Sequence, residues 1–234
     1  MPERLLSNFD QSLLTLQIIK ADILPDLTIQ NIISRLKTAS SEELPGARAH
    51  EEMSPMKRPT GKFPERATAR LAAVAVVLTK LNSELTILLT QRHEYEGLHS
   101  GQISFPGGKK DENDLNLEYT ARRECLEEIG ITLNTEDLLI SLTEVYIPVS
   151  KFIVQPYVYF LEELEKIELN QREVKELIRF PLHRLCSDAS KSEMNLRTPE
   201  GLVYRDVPCF RIGEKEIWGA TALILNELRY LLNS

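Results

Sequence analysis

Arg123-Glu124-Cys125-Leu126-Glu127-Glu128-Ile129-Gly130 is the most informative stretch of this 234-residue chain. Side chains on an α-helix advance by about 100° per residue, so Glu124 and Glu128 stand one turn apart on one face. Arg123 and Glu127 form a second pair of the same spacing, offset from the first. Ala121, Cys125 and Ile129 mark the side that would be buried, with Glu124 and Glu128 at its margin. Gly130 follows in the position that favours a left-handed helix cap. Two carboxylates about 5–6 Å apart repel by roughly 3 kcal/mol at an effective dielectric near 20. A shared proton or a divalent cation relieves that repulsion, and hard oxygen ligands with room for water suit Mg²⁺ or Mn²⁺. An isolated Glu-x-x-x-Glu pair is more often a solvated acidic face. Phe105-Pro106-Gly107-Gly108 shifts that balance, because it puts two glycines shortly before the helix, where backbone can approach a ligand closely.

Strand patterns flank this helix. Leu71 to Leu78 is a β-branched and alanine-rich apolar run too short for a buried helix, and it predicts a central strand. Leu85 to Thr90 predicts its hairpin partner. Gln91 to Lys110 reads as a long polar loop with glycines at 97, 101, 107 and 108. The helix that carries the acids is expected from about Asp114, with Asp114 as its N-cap, to Ile129. Further strands are expected over 138–147, 152–161 and 204–212. A short helix is expected over 174–177, bounded by Pro181, and a closing helix over 220–232. Mixed strands with separated helices imply an α/β fold with helices covering a mixed sheet.

Before residue 65 the character differs. Leu5, Leu6, Phe9, Leu13, Leu14 and Leu16 recur at helical spacing, and a second amphipathic run spans 28–36 after Pro25. Residues 40–64 carry four prolines and two glycines, a loop or linker composition. The expected organisation is a helical N-terminal extension and linker over 1–64 and one domain over 65–234. The extension would cap the site or support a homodimer. A net charge of −7 speaks against a broad electrostatic grip on nucleic acid. An apolar run of eight residues is too short to span a membrane. The opening residues show no signal-peptide pattern, and Cys125, Cys186 and Cys209 have neither disulfide-framework nor zinc spacing. The expected location is the cytoplasm.

Gly108 to Ile131 resembles the Nudix box, the helix-centred motif of pyrophosphohydrolases that cleave a nucleoside diphosphate linked to another group. Its strict form is Gly, five residues, Glu, seven residues, then Arg-Glu-apolar-x-Glu-Glu-x-Gly-apolar. Arg123 to Ile131 match every fixed position. Upstream, Asp114 stands in place of Glu, and eight residues separate it from Arg123. Coenzyme A pyrophosphatases of this superfamily share that extra residue and commonly the acid change. The chain is also similar to them in Leu88-Leu89-Thr90-Gln91-Arg92, Gly101, Phe105-Pro106-Gly107-Gly108 and Ile217 to Ala222. His93 replaces a usual small residue, and Gly97 stands where an arginine is usual.

The resemblance implies a Nudix α/β/α sandwich, and a Mg²⁺- or Mn²⁺-dependent enzyme that cleaves CoA or acyl-CoA to 3′,5′-ADP and 4′-phosphopantetheine or its acylated form. It implies that Glu124 and Glu128 hold the metal, that Glu127 joins the metal set or activates water, and that Arg123 fixes the Glu127 rotamer. Arg92, Gly107 and Gly108 would contact substrate, with a surface ion pair as the other reading of Arg92. Glu173 reads as an exposed charge rather than a late-chain acid at the metals. Trp218 reads as core and His99 as loop, and Cys125 as a small hydrophobe. The alternatives are a Nudix hydrolase of another nucleoside diphosphate derivative such as ADP-ribose, which Gly97 favours, and a nucleotide-sensing module without catalysis, which the intact acids oppose.

Overall fold

The apolar run at Leu71–Leu78 lies inside β1 (Arg70–Leu81), where Ala75 to Thr79 are buried on both faces of a sheet. The computed structural model describes residues 28–39, 44–54, 68–82, 84–93, 101–164, 166–197 and 201–233. β2 (Glu84–Arg92) turns back on β1 as a hairpin, with Leu81 opposite Glu84. β7 (Phe152–Leu161) runs parallel to β1 on its other side, from Arg70 opposite Phe152 to Thr79 opposite Leu161. The remaining neighbours are antiparallel. β3 (Ile103–Ser104) and β8 (Val174–Pro181) pair with β2, and β4 (Gly107–Lys109) pairs with β1. β5 (Leu138–Ser141) and β6 (Val145–Ile147) pair with β7. The sheet is therefore mixed, as the sequence predicts. A smaller antiparallel sheet is built from β9 (Lys191–Arg197), β10 (Val203–Ile212) and β11 (Lys215–Ile217).

Alternation along β1 sends neighbouring side chains into two cores. Ala73, Ala75 and Val77 pack with Leu88 and Tyr159 beneath α3 (Leu117–Ile129) through Ala121, Cys125 and Ile129. Val76 and Leu78 join Ile87 and Leu89 on the opposite face. There α5 (Gly219–Asn233) supplies Leu223, Leu225, Leu228 and Leu232, with α4 (Leu182–Cys186) beside it. Helices cover both faces, so the architecture is an α/β/α sandwich.

α1 (Ile29–Ala39) matches the amphipathic run over 28–36 and buries Ile32 and Leu36 in the α5-side core. The apolar run from Leu5 to Leu16 lies outside the described residues. The stretch over 40–64 is not loop throughout. It contains α2 (Gly46–Glu52), whose Ala49 carbonyl accepts from Asn226 Nδ2 at 2.7 Å. Seven residues rarely hold a helix alone, and docking on α5 stabilises this one.

Three other expectations change. The segment over 174–177 is strand, not helix. Val174, Ile178 and Phe180 are buried while Glu176 and Arg179 face out, and pairing with β2 overrides the local helical spacing. The loop over 91–110 contains β3 and β4. β9 and β11, polar and short, lie where the sequence predicts no strand. Among the described residues, no helix is long and apolar enough to cross a membrane.

Candidate active site

α3 is fixed at both ends. Asn116 is its N-cap, accepting from the Tyr119 N–H at 2.7 Å, and Gly130 at φ +73° ends it. Asp114 is therefore not the cap. It is buried, and its two oxygens accept from Arg123 Nε and Nη2 at 2.9 Å each. Thr120 Oγ1 and the Asp111 amide also donate to it. The fork from Arg123 holds the Asp114 carboxyl well below the usual range. Arg123 then reaches Glu124 at 2.8 Å and Glu127 at 3.1 Å. One guanidinium, anchored by a buried acid, sets two carboxylates of the helix.

The helix orients its acids unequally. Glu128 is 4% exposed, and its Oε2 has no hydrogen-bond partner among the described residues. Glu124 is half-buried, and Glu127 is directed to solvent beside Arg123. Burial pushes the Glu128 carboxyl from 4.5 up to about 8. Arg92 and the Gly107 amide oppose the rise, while Glu124 and Glu173 add to it. Burial also raises Glu124 against the pull of Arg123, and Glu127 and Glu173 reinforce the rise.

β4 brings the two glycines against this pair. A Cβ on Gly108 would sit 2.4 Å from the Glu124 carboxylate, and one on Gly107 would lie 2.5 Å from the Ala73 carbonyl oxygen. Only glycine lets the strand lie between β1 and the acids. The loop expected there is thus a pressed edge strand.

Glu124, Glu128, Gly107, Gly108 and Arg92 line one cavity of about 380 Å³, and Glu173 joins them. Glu173 is exposed, as read from the sequence, but it also faces the two box acids. The turn before it is tied to the end of α3. The Glu168 amide donates to Ile129 O at 3.1 Å and the Asn170 amide to Glu128 O at 2.9 Å. These bonds satisfy helix carbonyls left free at the last turn. No local signal marks Glu173, because its place depends on a contact distant in sequence.

Glu127 does not line the cavity, and no three histidine, cysteine, aspartate or glutamate side chains among the described residues form a ready metal cage. The donor set still fits a hard divalent cation. Two carboxylates raised by burial, one with an orphaned oxygen, gain most from a positive charge that retains its waters. Cys125 is fully buried and burial raises its thiol, in keeping with a packing role. Trp218 is half-buried before α5. Gly97 and His99 lie outside the described residues.

Residues 69–199 match the family model of the NUDIX domain. A probable nudix hydrolase of Schizosaccharomyces pombe is 31% identical over 163 residues, covering 70% of this chain and 56% of that protein. Nudix hydrolase 15, mitochondrial, of Arabidopsis thaliana is 33% identical over 175 residues, covering 71% and 60%. An uncharacterized Nudix hydrolase, NudL, of Yersinia pestis is 34% identical over 162 residues, covering 69% and 79%. The chain spans less than two thirds of the length of the first two.

Proposed function

The chain belongs to the Nudix family, and from that premise we propose that it is a divalent-metal-dependent pyrophosphohydrolase. Its proposed substrate is CoA or acyl-CoA, cleaved at the diphosphate to 3′,5′-ADP and 4′-phosphopantetheine or its acylated form. The observation that carries the hydrolase reading is the buried Glu128 carboxylate. One of its oxygens has no partner among the described residues, and it opens on a cavity shared with Glu124, Gly107, Gly108 and Arg92. The CoA assignment rests on the resemblance over 88–108 and on the lengthened box. In support, Asp114, the residue that departs from the strict box, serves as the anchor of Arg123.

Glu124 and Glu128 would hold Mg²⁺ or Mn²⁺, with Glu127 assigned to the same set by the resemblance. Bound there, the cation would neutralise diphosphate charge and lower the pKa of an attacking water. Arg92, in the lining of the same cavity, would orient a phosphate. Gly107 and Gly108 would let the diphosphate approach the backbone. Arg123 keeps Glu124 and Glu127 in place, and Glu124, Glu127 and Glu173 are the acids available to accept a water proton. The three cysteines are buried and unpaired, which suits the proposed cytoplasmic setting.

The test is a mass-spectrometric product assay with Mg²⁺ on CoA, acetyl-CoA, a long-chain acyl-CoA, ADP-ribose, NADH and a nucleoside triphosphate, each with an EDTA control. Metal-dependent 3′,5′-ADP, formed faster from a CoA species than any product from the others, is the expected result. Cleavage of the other substrates alone would discard CoA and leave the hydrolase.

A further inference from the structure

We propose that Arg70 and Lys109 form a second anion subsite beside the cavity, one that takes a phosphate monoester separate from the diphosphate being cleaved. On the CoA reading, on which this rests, that group is the 3′-phosphate of the adenosine.

The register of the sheet places the two cations. Lys109 on β4 is opposite Ala72 on β1, and Gly107 is opposite Val74. Arg70 is two residues before Ala72, and Phe152 on β7 is its partner. Residues i and i+2 on a strand, and directly opposed residues on neighbours, share a face. Arg70, Ala72, Val74, Lys109 and Phe152 therefore lie on one face, and all but Arg70 line the cavity. A strand advances about 3.3 Å per residue, so Lys109 stands about 7 Å and Arg70 about 13 Å from the level of Val74 and Gly107, where the box acids begin. A ligand with its diphosphate at Glu124 and Glu128 and a ribose extending past Ala72 meets Lys109, then Arg70.

Among the described residues, both cations are open to such a ligand. Several other cations of this acidic chain are paired with acids: Lys191 with Glu52, Arg211 with Glu216, Lys215 with Glu176 and Arg122 with Glu118. Lys109 and Arg70 are exposed, and neither has a carboxylate partner among the described residues. Arg70 is nevertheless held, with its guanidinium carbon 4.1 Å from the centre of the Phe152 ring. A guanidinium held over a ring face can still present its N–H groups to a phosphate fork. The Phe152 ring, Ile147, Val154, Ala72 and Val74 supply apolar wall for the attached base and sugar.

The test compares CoA with dephospho-CoA, which keeps the diphosphate and lacks the 3′-phosphate. Steady-state kcat/KM is measured for both with Mg²⁺ in the full chain, in Arg70→Ala and in Lys109→Ala. The wild type is expected to favour CoA, mainly through KM. Either substitution should lower the CoA to dephospho-CoA ratio by about tenfold, the low end for losing one charge-assisted hydrogen bond. The ratio is insensitive to general damage, because both substrates share the catalytic site. Equal wild-type use of the two, or a ratio unchanged in both variants, would overturn the subsite and leave the CoA reading intact. Cleavage of neither, with turnover of another nucleoside diphosphate derivative, would overturn both.

Discussion

Glu128 and Glu227 are both buried, one on each of the helices that flank the central sheet, and they are held in opposite ways. On the α5 side, Glu227 is fully enclosed and fully bonded. It accepts from His50 Nε2 at 3.0 Å, from the Thr143 amide at 3.1 and 3.2 Å, and from the Thr143 hydroxyl at 2.7 Å. Those contacts join α2, α5 and the segment between β5 and β6. On the α3 side, Glu128 keeps one oxygen without a partner among the described residues and faces other acids in a cavity. A buried carboxylate used for structure is closed by donors from its own chain. A buried carboxylate left open carries an unmet demand for positive charge, which is the condition for binding a cation.

The comparison breaks most sharply on activity. Glu128→Gln keeps size and burial and removes the charge, so it should lower kcat/KM by about 10³-fold or more with Mg²⁺, equal to about 4 kcal/mol of barrier. Circular dichroism should report an unchanged fold. Near wild-type turnover in this variant would make Glu128 another structural acid. The converse prediction concerns Glu227→Ala, which strands the His50 and Thr143 donors in the core. It should cost about 3 kcal/mol in urea unfolding. Its kcat should remain within a few-fold of wild type, because Glu227 does not line the cavity.

The smallest effect sharpens the contrast through pH. In the folded, metal-free protein Glu128 titrates near 8 rather than 4.5, so between those values the folded state retains a proton that the unfolded chain has released. Stability from this group is therefore present in full at low pH and is lost as pH rises through 8. In EDTA, wild type should lose measurably more stability than Glu128→Gln between pH 5 and 8.5, followed by urea midpoints. Parallel profiles for the two proteins would show that Glu128 is not held in a raised state.

Much of this molecule was legible in local patterns. The box helix, its glycine stop, the β1–β2 hairpin and the closing helix follow from periodicity and turn residues. The errors share a cause. Val174 to Leu177 has helical spacing, and becomes strand because β2 offers an edge. α2 has an unpromising composition, and is helix because α5 offers a surface and Asn226 a donor. Asp114 suits an N-cap, yet Asn116 takes that post while Arg123 draws Asp114 inward. In each case a partner distant in sequence outweighs a weak local preference.

The same division runs through the candidate site. Helix spacing and backbone freedom are properties of near neighbours, so local sequence is enough to put Glu124 and Glu128 on one helix face, with two glycines before them and Arg123 beside them. Which acid is buried and which exposed, the seat of Gly108 against Glu124, and the reach of Arg92 and Glu173 into one cavity come from long-range packing. Burial and electrostatic environment depend on which distant segments pack together, and no short window of sequence carries that information.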